Sequence, residues 1–592
     1  MIRRLLPLLA LLGCVQPSGH TESAPPPPRR ADVPSASAQG GRDVRPPFLA
    51  TGTAQRVVLL SFDGLGAGAL ASQTTLPAFA RMTSEGASTR VIPVNPTVTS
   101  STHVSILTGA QPDVHGIIAN RFHVPGTPPD STARGLETEI DAETIVEAAR
   151  RQGKRVGTVP FPTVDGRSPR RRGDFGFAYS SSVTSGRIIR LTRTDFHREW
   201  VPPTWTQRPA RRTSYSPIMR ARIEWSITQR MRNDVDVVAY DTTNDAAANY
   251  DLFIIETDER EIAPDARGWF ALSAQRTEGL YGSWSKILRA DASLGVALYW
   301  GPITRTDAWP ASFQQMLDAE IGFWPGAPDE RGEIDVTTFI EQTDRLAAFL
   351  RHAQTLAIRR MPFDLLLAYH PAIDSTGHNY LGVSEEAIRA AYANADRGVA
   401  AIAAALDLSR DAFLVTGDHG LSRIDTEVRM NRLLADRGFA PRWRAYASGS
   451  IAHLYRFEGA DDADALVAML KNIATVNVAT GFSRSSEGPA EAGPYVFERV
   501  TKKEANAHRN SGDVIAYAHP NVTLTPSSDA PAVVKPENTA HHGALNTHRE
   551  LHTLLLARGA GVPRTFPAEI SQTRIARFVA QLLGMQPPAS AE

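Results

Sequence analysis

Three stretches far apart in the chain share one pattern, an unbroken apolar run that stops at an acid. They are VVLLSFDG, ending at Asp63, FDLLLAYHPAID, ending at Asp374, and AFLVTGDHG, ending at Asp418. A strand with one wet face alternates apolar and polar residues. Runs without alternation therefore predict strands buried on both faces, as in a parallel sheet covered by helices. Segments with helical apolar spacing lie between and after them, at 143–153, 336–360, 384–406 and 462–474. The alternation predicts an α/β fold with a mostly parallel central sheet and helices on both faces. In such sheets ligands bind beyond the carboxyl ends of the strands, and all three acids fall at that edge.

The span from 186 to 335 interrupts this pattern with hairpin-like alternation and holds eight of the nine tryptophans. It reads as an inserted, smaller cap domain over the carboxyl edge, leaving 51–185 and 336–592 as the catalytic core. Most of those tryptophans are expected to fill the insertion's own core, with one or two left to pack against a substrate. Composition changes this picture little. Of 592 residues, 42% are apolar and 21% charged, as in a soluble globular protein. Basic and acidic residues balance at 63 each, so no global field draws the chain to nucleic acid, and no specific nucleic-acid binding is expected.

The amino terminus is addressed separately from the fold. MIRRLLPLLALLGC has a basic start and an apolar run too short to span a bilayer. It resembles a bacterial lipoprotein signal over 1–14, which implies acylation of Cys14. Cys14 is the only cysteine, so neither a disulfide nor a thiolate metal site can form. Residues 15–50 are rich in Pro, Ser and Gly and suit an extended tether. The expectation is an exported lipoprotein held at a bacterial membrane, in the periplasm or at the outer membrane, with the lipid bilayer as its partner.

The candidate chemistry gathers around the acids. GLGAGA, with Gly64, Gly66 and Ala69, fits a dinucleotide fingerprint, but Asp63 directly before it would repel a pyrophosphate. His378 follows Asp374 by four residues, one helical turn, so both side chains can face one cation. Asp418 and His419 are adjacent, and NTAHHGALNTHRELH supplies further imidazoles, among them His541 and His542. Carboxylates with imidazoles and no thiolate suit zinc and similar divalent ions. More than four such ligands exceed one tetrahedral ion, which points to two. PTVTSSTHVSILTG puts five hydroxyls, at Thr97, Thr99, Ser100, Ser101 and Thr102, before an apolar run. Such hydroxyls are ordinary helix caps, and one of them is also a candidate nucleophile.

Taken in order, FDG, PTVTSSTHVSILTGAQPDVHGIIAN, IDSTGH, GDHG and HHGALNT resemble the alkaline phosphatase superfamily in its nucleotide pyrophosphatase/phosphodiesterase branch. The resemblance runs from Asp63 to Thr547. It implies an alkaline phosphatase-like fold and a two-metal phosphoric ester hydrolase whose substrate is a small-molecule phosphodiester or nucleotide pyrophosphate. Asp374, His378 and His542 would hold one zinc, and Asp63, Asp418 and His419 the other. His542 is taken over His541 because the family ligand directly precedes a glycine. Thr99 matches the family nucleophile, which also coordinates the second zinc and forms a phospho-threonine intermediate. Asn120 matches an asparagine that bonds a phosphate oxygen.

The chain departs from that family at Ser100, Ser101 and Thr102, where many diesterases carry an aromatic residue, Pro and Asn. No Lys-x-Arg pair of the kind found in related monoesterases is evident. The alternatives are a phosphomonoesterase on the same core and a surface lipoprotein without catalysis.

Overall fold

The computed structural model describes residues 49–164, 168–179, 183–199, 211–228, 231–257, 260–327, 334–459, 461–473 and 496–592. The signal, Cys14 and nearly all of the tether lie outside them, as do Trp200 and Trp205. The central sheet has nine strands: β1 (Val57–Phe62), β2 (Ala87–Ile92), β3 (Val156–Thr158), β4 (Phe175–Phe177), β5 (Ala308–Trp309), β6 (Leu365–His370), β7 (Ala412–Gly417), β8 (Thr553–Gly559) and β9 (Glu569–Ser571). Their spatial order is β5-β4-β3-β6-β1-β7-β8-β2-β9. All run parallel except β5 and β8, which pair antiparallel with their neighbours.

The three acid-terminated runs are β1, β6 and β7, three adjacent strands at the centre of the sheet. Every residue in them is buried. Successive side chains of a strand point to opposite faces. Val58, Leu60 and Phe62 pack with helices α3 (Val336–Arg360) and α5 (Glu385–Ala405). Val57 and Leu59 pack with α1 (Thr99–Thr108), α2 (Ile145–Arg151) and α6 (Arg574–Leu582). Covering both faces is why these runs carry no polar alternation. Helix α4 (Ala372–Tyr380) follows β6 directly.

The chain leaves the carboxyl edge in two long excursions. The first leaves after β4 and builds two antiparallel sheets of five strands each from Arg187 to Arg305. It has its own core, in which Trp225 and Trp300 are buried. Trp269 is buried against Tyr299 and Phe339, and Trp324 lies in the main core beside Phe349. These four rings fill packing space. Ala308–Trp309 is already back in the central sheet as β5.

The second excursion runs between β7 and β8. It carries a four-stranded antiparallel sheet of Trp443–Ser448, Ile451–Arg456, Val514–Ala518 and Phe497–Lys502, in that spatial order, around a separate core. Sequence reading found only its helix, Ala463–Lys471. Among the described residues no helix is long and apolar enough to cross a membrane.

Register brings the three strand ends level, with Phe62 opposite both His370 and Gly417. Gly64 then turns at φ +72°, and a Cβ on it would lie 2.9 Å from the Cα of Asp374. Its glycine serves that turn and close approach. Gly64→Ala should lower stability by at least about 1–2 kcal/mol, because an L side chain is strained in the left-handed region and has no room here. A thermal unfolding midpoint equal to the parent's would refute the packing described.

Candidate metal centre

Asp63 and Asp418 each follow the last residue of a strand, so the level strand ends set them side by side. The Asp63 amide donates to the His370 carbonyl at 2.9 Å, and the Asp374 amide donates to the Asp63 carbonyl at 3.1 Å. The Gly64 amide donates to Asp418 Oδ1 at 3.0 Å. Helix α4 holds Asp374 and His378 one turn apart, with Asp374 Oδ2 3.1 Å from His378 Nε2.

The imidazoles close around these acids. His419 Nε2 lies 3.0 Å from Asp418 Oδ2, 3.4 Å from Asp63 Oδ1 and 3.3 Å from Thr99 Oγ1. His542 Nε2 lies 3.8 Å from Asp374 Oδ1, and its ring stacks on His419 at 3.8 Å between centroids. In each of His378, His419 and His542, Nδ1 faces a backbone carbonyl, that of Ala540 at 2.8 Å, Gly420 at 3.1 Å and Thr97 at 3.1 Å respectively. A proton fixed on Nδ1 leaves the Nε2 lone pair for a cation. His541 differs: its Nδ1 lies 2.9 Å from the His542 amide and 3.2 Å from the His542 carbonyl. With His378 and His542 it forms one of three side-chain groups able to hold an ion, beside Asp374, His419 and His542, and Asp63, Asp418 and His419.

Electrostatics fit a cation. Burial raises Asp63 well above the usual carboxylate range, and the neighbouring Asp418 and Asp374 push it further. Burial also acts to raise Asp374 and Asp418. For Asp374 the imidazoles of His378, His542 and His419 outweigh it, and for Asp418 those of His419 and His103 do, holding both low. Burial and then the His419 charge drive His542 well below its ordinary value. Asp63 Oδ1 and Asp374 Oδ1 are buried without a hydrogen-bond partner. Orphaned carboxylate oxygens among imidazoles whose Nδ1 atoms face backbone carbonyls make a donor set that suits a divalent ion of the zinc class.

Thr99 is the first residue of α1 and is half-buried, so its hydroxyl remains accessible. The helix has no side-chain cap of its own, since the preceding residue is Val98. Asn120 Oδ1 instead accepts the Ser100 amide at 2.9 Å and the Ser100 hydroxyl at 2.8 Å. This leaves the Asn120 Nδ2 donor without a partner among the described residues. Thr97, expected to cap, does something else. Its hydroxyl donates to the Ala544 carbonyl at 2.8 Å and accepts the Gly543 amide at 3.1 Å, tying the loop that carries His542 to the start of α1.

All seven sequence-derived ligand candidates thus meet in one place, together with Asn120, while Cys14 lies outside the described residues. Two supporting residues escaped sequence reading. The Tyr369 hydroxyl, on β6, donates to Asp63 Oδ2 at 2.5 Å. His103, fully buried, sets Nδ1 2.9 Å from the Thr99 carbonyl and 3.4 Å from Asp418 Oδ2, and Nε2 3.0 Å from Ser61 Oγ. The period of β6 marks Tyr369 only as core, and His103 sits within a helical run.

The family model described as type I phosphodiesterase/nucleotide pyrophosphatase matches residues 57–259 and 237–545. No curated protein matches the chain at significant similarity. Among solved structures, murine ectonucleotide pyrophosphatase/phosphodiesterase 5 is 13% identical, with a TM-score of 0.49 over 90% of this chain and 96% of that one. Phosphonoacetate hydrolase from Sinorhizobium meliloti 1021, in complex with phosphonoformate, is 16% identical, with the same TM-score and coverage. Likeness at this level says nothing of substrate.

Removing the hydroxyl that orients a ligating carboxylate weakens metal binding about 10–100-fold. Tyr369→Phe should therefore bind zinc that much more weakly in a chelator-competition titration while keeping its fold. Parent affinity in that variant would remove Tyr369 from the centre.

Proposed function

Because the chain belongs to the type I phosphodiesterase/nucleotide pyrophosphatase family, hydrolases of phosphate ester bonds, we propose that it cleaves phosphodiesters or nucleotide pyrophosphates with Thr99 as nucleophile. The observation that carries this reading is the Thr99 hydroxyl, accessible at the start of α1 and 3.3 Å from His419 Nε2, beside the buried acids. Asp374, His378 and His542 would hold one zinc-class ion, and Asp63, Asp418 and His419 the other, with Thr99 at its edge. When bound, such ions supply Lewis acidity, lowering the pKa of a nearby hydroxyl and stabilising negative charge on oxygen.

The chain's own groups do the rest. The Thr99 hydroxyl gives its proton to solvent as Oγ1 bonds to phosphorus and the bond to the departing oxygen breaks, leaving phospho-threonine, and the departing oxygen takes a proton from solvent. Water then bonds to phosphorus as the Oγ1–P bond breaks, and a proton returns to Thr99 to restore the hydroxyl. The free Nδ2 of Asn120 donates to a non-bridging phosphate oxygen, and the first turn of α1 favours the same negative charge. Tyr369 and His103 position Asp63 and Asp418, and the Thr97 tie keeps His542 in reach. The chain is further proposed to be exported and anchored at a bacterial membrane by a lipid on Cys14, a reading supported by the sequence of its first 14 residues.

Thr99→Ala should abolish turnover of a chromogenic diester while retaining the fold and bound zinc. Chelation should silence the parent, and added zinc should restore it. Turnover by Thr99→Ala near the parent rate would overturn the nucleophile assignment. Cys14→Ser should move the protein from the membrane fraction to the soluble one, and unchanged fractionation would rule out the lipid anchor.

A further inference from the structure

A cavity of about 460 Å³ opens beside the centre, and Asn120 and His541 form part of its wall. Arg121 adjoins Asn120 there, and the remaining lining comes from the second excursion and from the loop that returns to His542. No Phe, Tyr or Trp lines it. Three lining side chains keep hydrogen-bonding capacity that no described residue uses: Arg121, Glu537 and Asn538. Its charges nearly cancel. Arg121 and Glu537 both line it, while Glu427 is already held by Arg429 Nε at 3.2 Å and by the Thr525 hydroxyl at 3.3 Å. The walls therefore have no surplus positive charge for a second phosphate, and no flat apolar surface for an aryl ring.

We infer that this cavity receives the organic group of the substrate and selects a neutral, hydroxylated one, a polyol or sugar, over an aryl or alkyl group. Hydroxyls are both donors and acceptors, and the wall offers amide, carboxylate and guanidinium in turn. A site built to bond hydroxyls disfavours an analogue that lacks them, because its polar groups are then left desolvated and unpaired. This deepens the hydrolase reading and rests on it for the position of the phosphate.

The test compares glyceryl, propyl and methyl p-nitrophenyl phosphates on the zinc-loaded full chain. The glyceryl ester should exceed the propyl ester in kcat/KM by about tenfold, the worth of one net hydrogen bond. Asn538→Ala and Glu537→Ala should bring the two esters together while leaving the methyl ester, too small to fill the cavity, unchanged. Equal kcat/KM for the glyceryl and propyl esters, or a preference surviving both substitutions, would overturn the inference. Calorimetry with glycerol 3-phosphate against propyl phosphate separates the two readings. Tighter glycerol 3-phosphate binding without turnover of the methyl ester supports the cavity and sinks the hydrolase. Equal binding with turnover sinks the cavity alone.

Discussion

The centre depends on one electrostatic constraint: the parallel register of β1, β6 and β7 drives carboxylates together out of water. Phe62, His370 and Gly417 end level, so Asp63 and Asp418 must emerge as neighbours, and the Gly64 turn presses Asp374 against them. Like charges in a buried cluster are costly unless protons, cations or donors offset them. The chain answers with imidazoles whose outer nitrogens are held by backbone carbonyls, which turns the inner nitrogens toward the acids. Two carboxylate oxygens still lack partners, and that deficit is what makes the place a candidate cation site and not merely an ion-paired core.

Around that constraint the supporting contacts are short and local in space but distant in sequence. Thr97 reaches the loop of Gly543 and Ala544, and Gly543 sits at φ +104°, where a Cβ would meet Ser448 and Ser450 backbone. The His542 loop is thus clamped from both sides, by the start of α1 and by the four-stranded sheet. That sheet, which contributes Ala447 and Ser448 to the cavity wall, therefore also backs the His542 loop. Specificity and metal geometry share a support.

Much of this could be read from the chain. Strands buried on both faces write themselves as unbroken apolar runs, and an acid at the end of each is conspicuous. Spacing placed His378 one turn from Asp374, and the order of the motifs carried the family. What stayed hidden depends on pairing across hundreds of residues. Nothing near Thr97 says that its hydroxyl faces Ala544 instead of its own helix, and Tyr369 reads as core because its ring is core, with only its oxygen reaching Asp63. The alternation in RWRAYASGSIAHLYRF, residues 442–457, went unread beside the helical pattern that follows it. The tryptophans were conspicuous by composition, and packing needs took four of them.

The Thr97–His542 contact spans 445 positions. A growing chain that emerges amino end first can complete β1, β6 and β7 and expose Asp63, Asp374 and Asp418 before His542 exists outside the ribosome or a translocation channel. Until then the acids form an open, highly charged edge with one side missing. Contacts of such long separation are formed late and slowly. Metal capture is therefore expected to be among the final events of maturation, and a chain truncated before the return loop would carry most of its core with no finished centre.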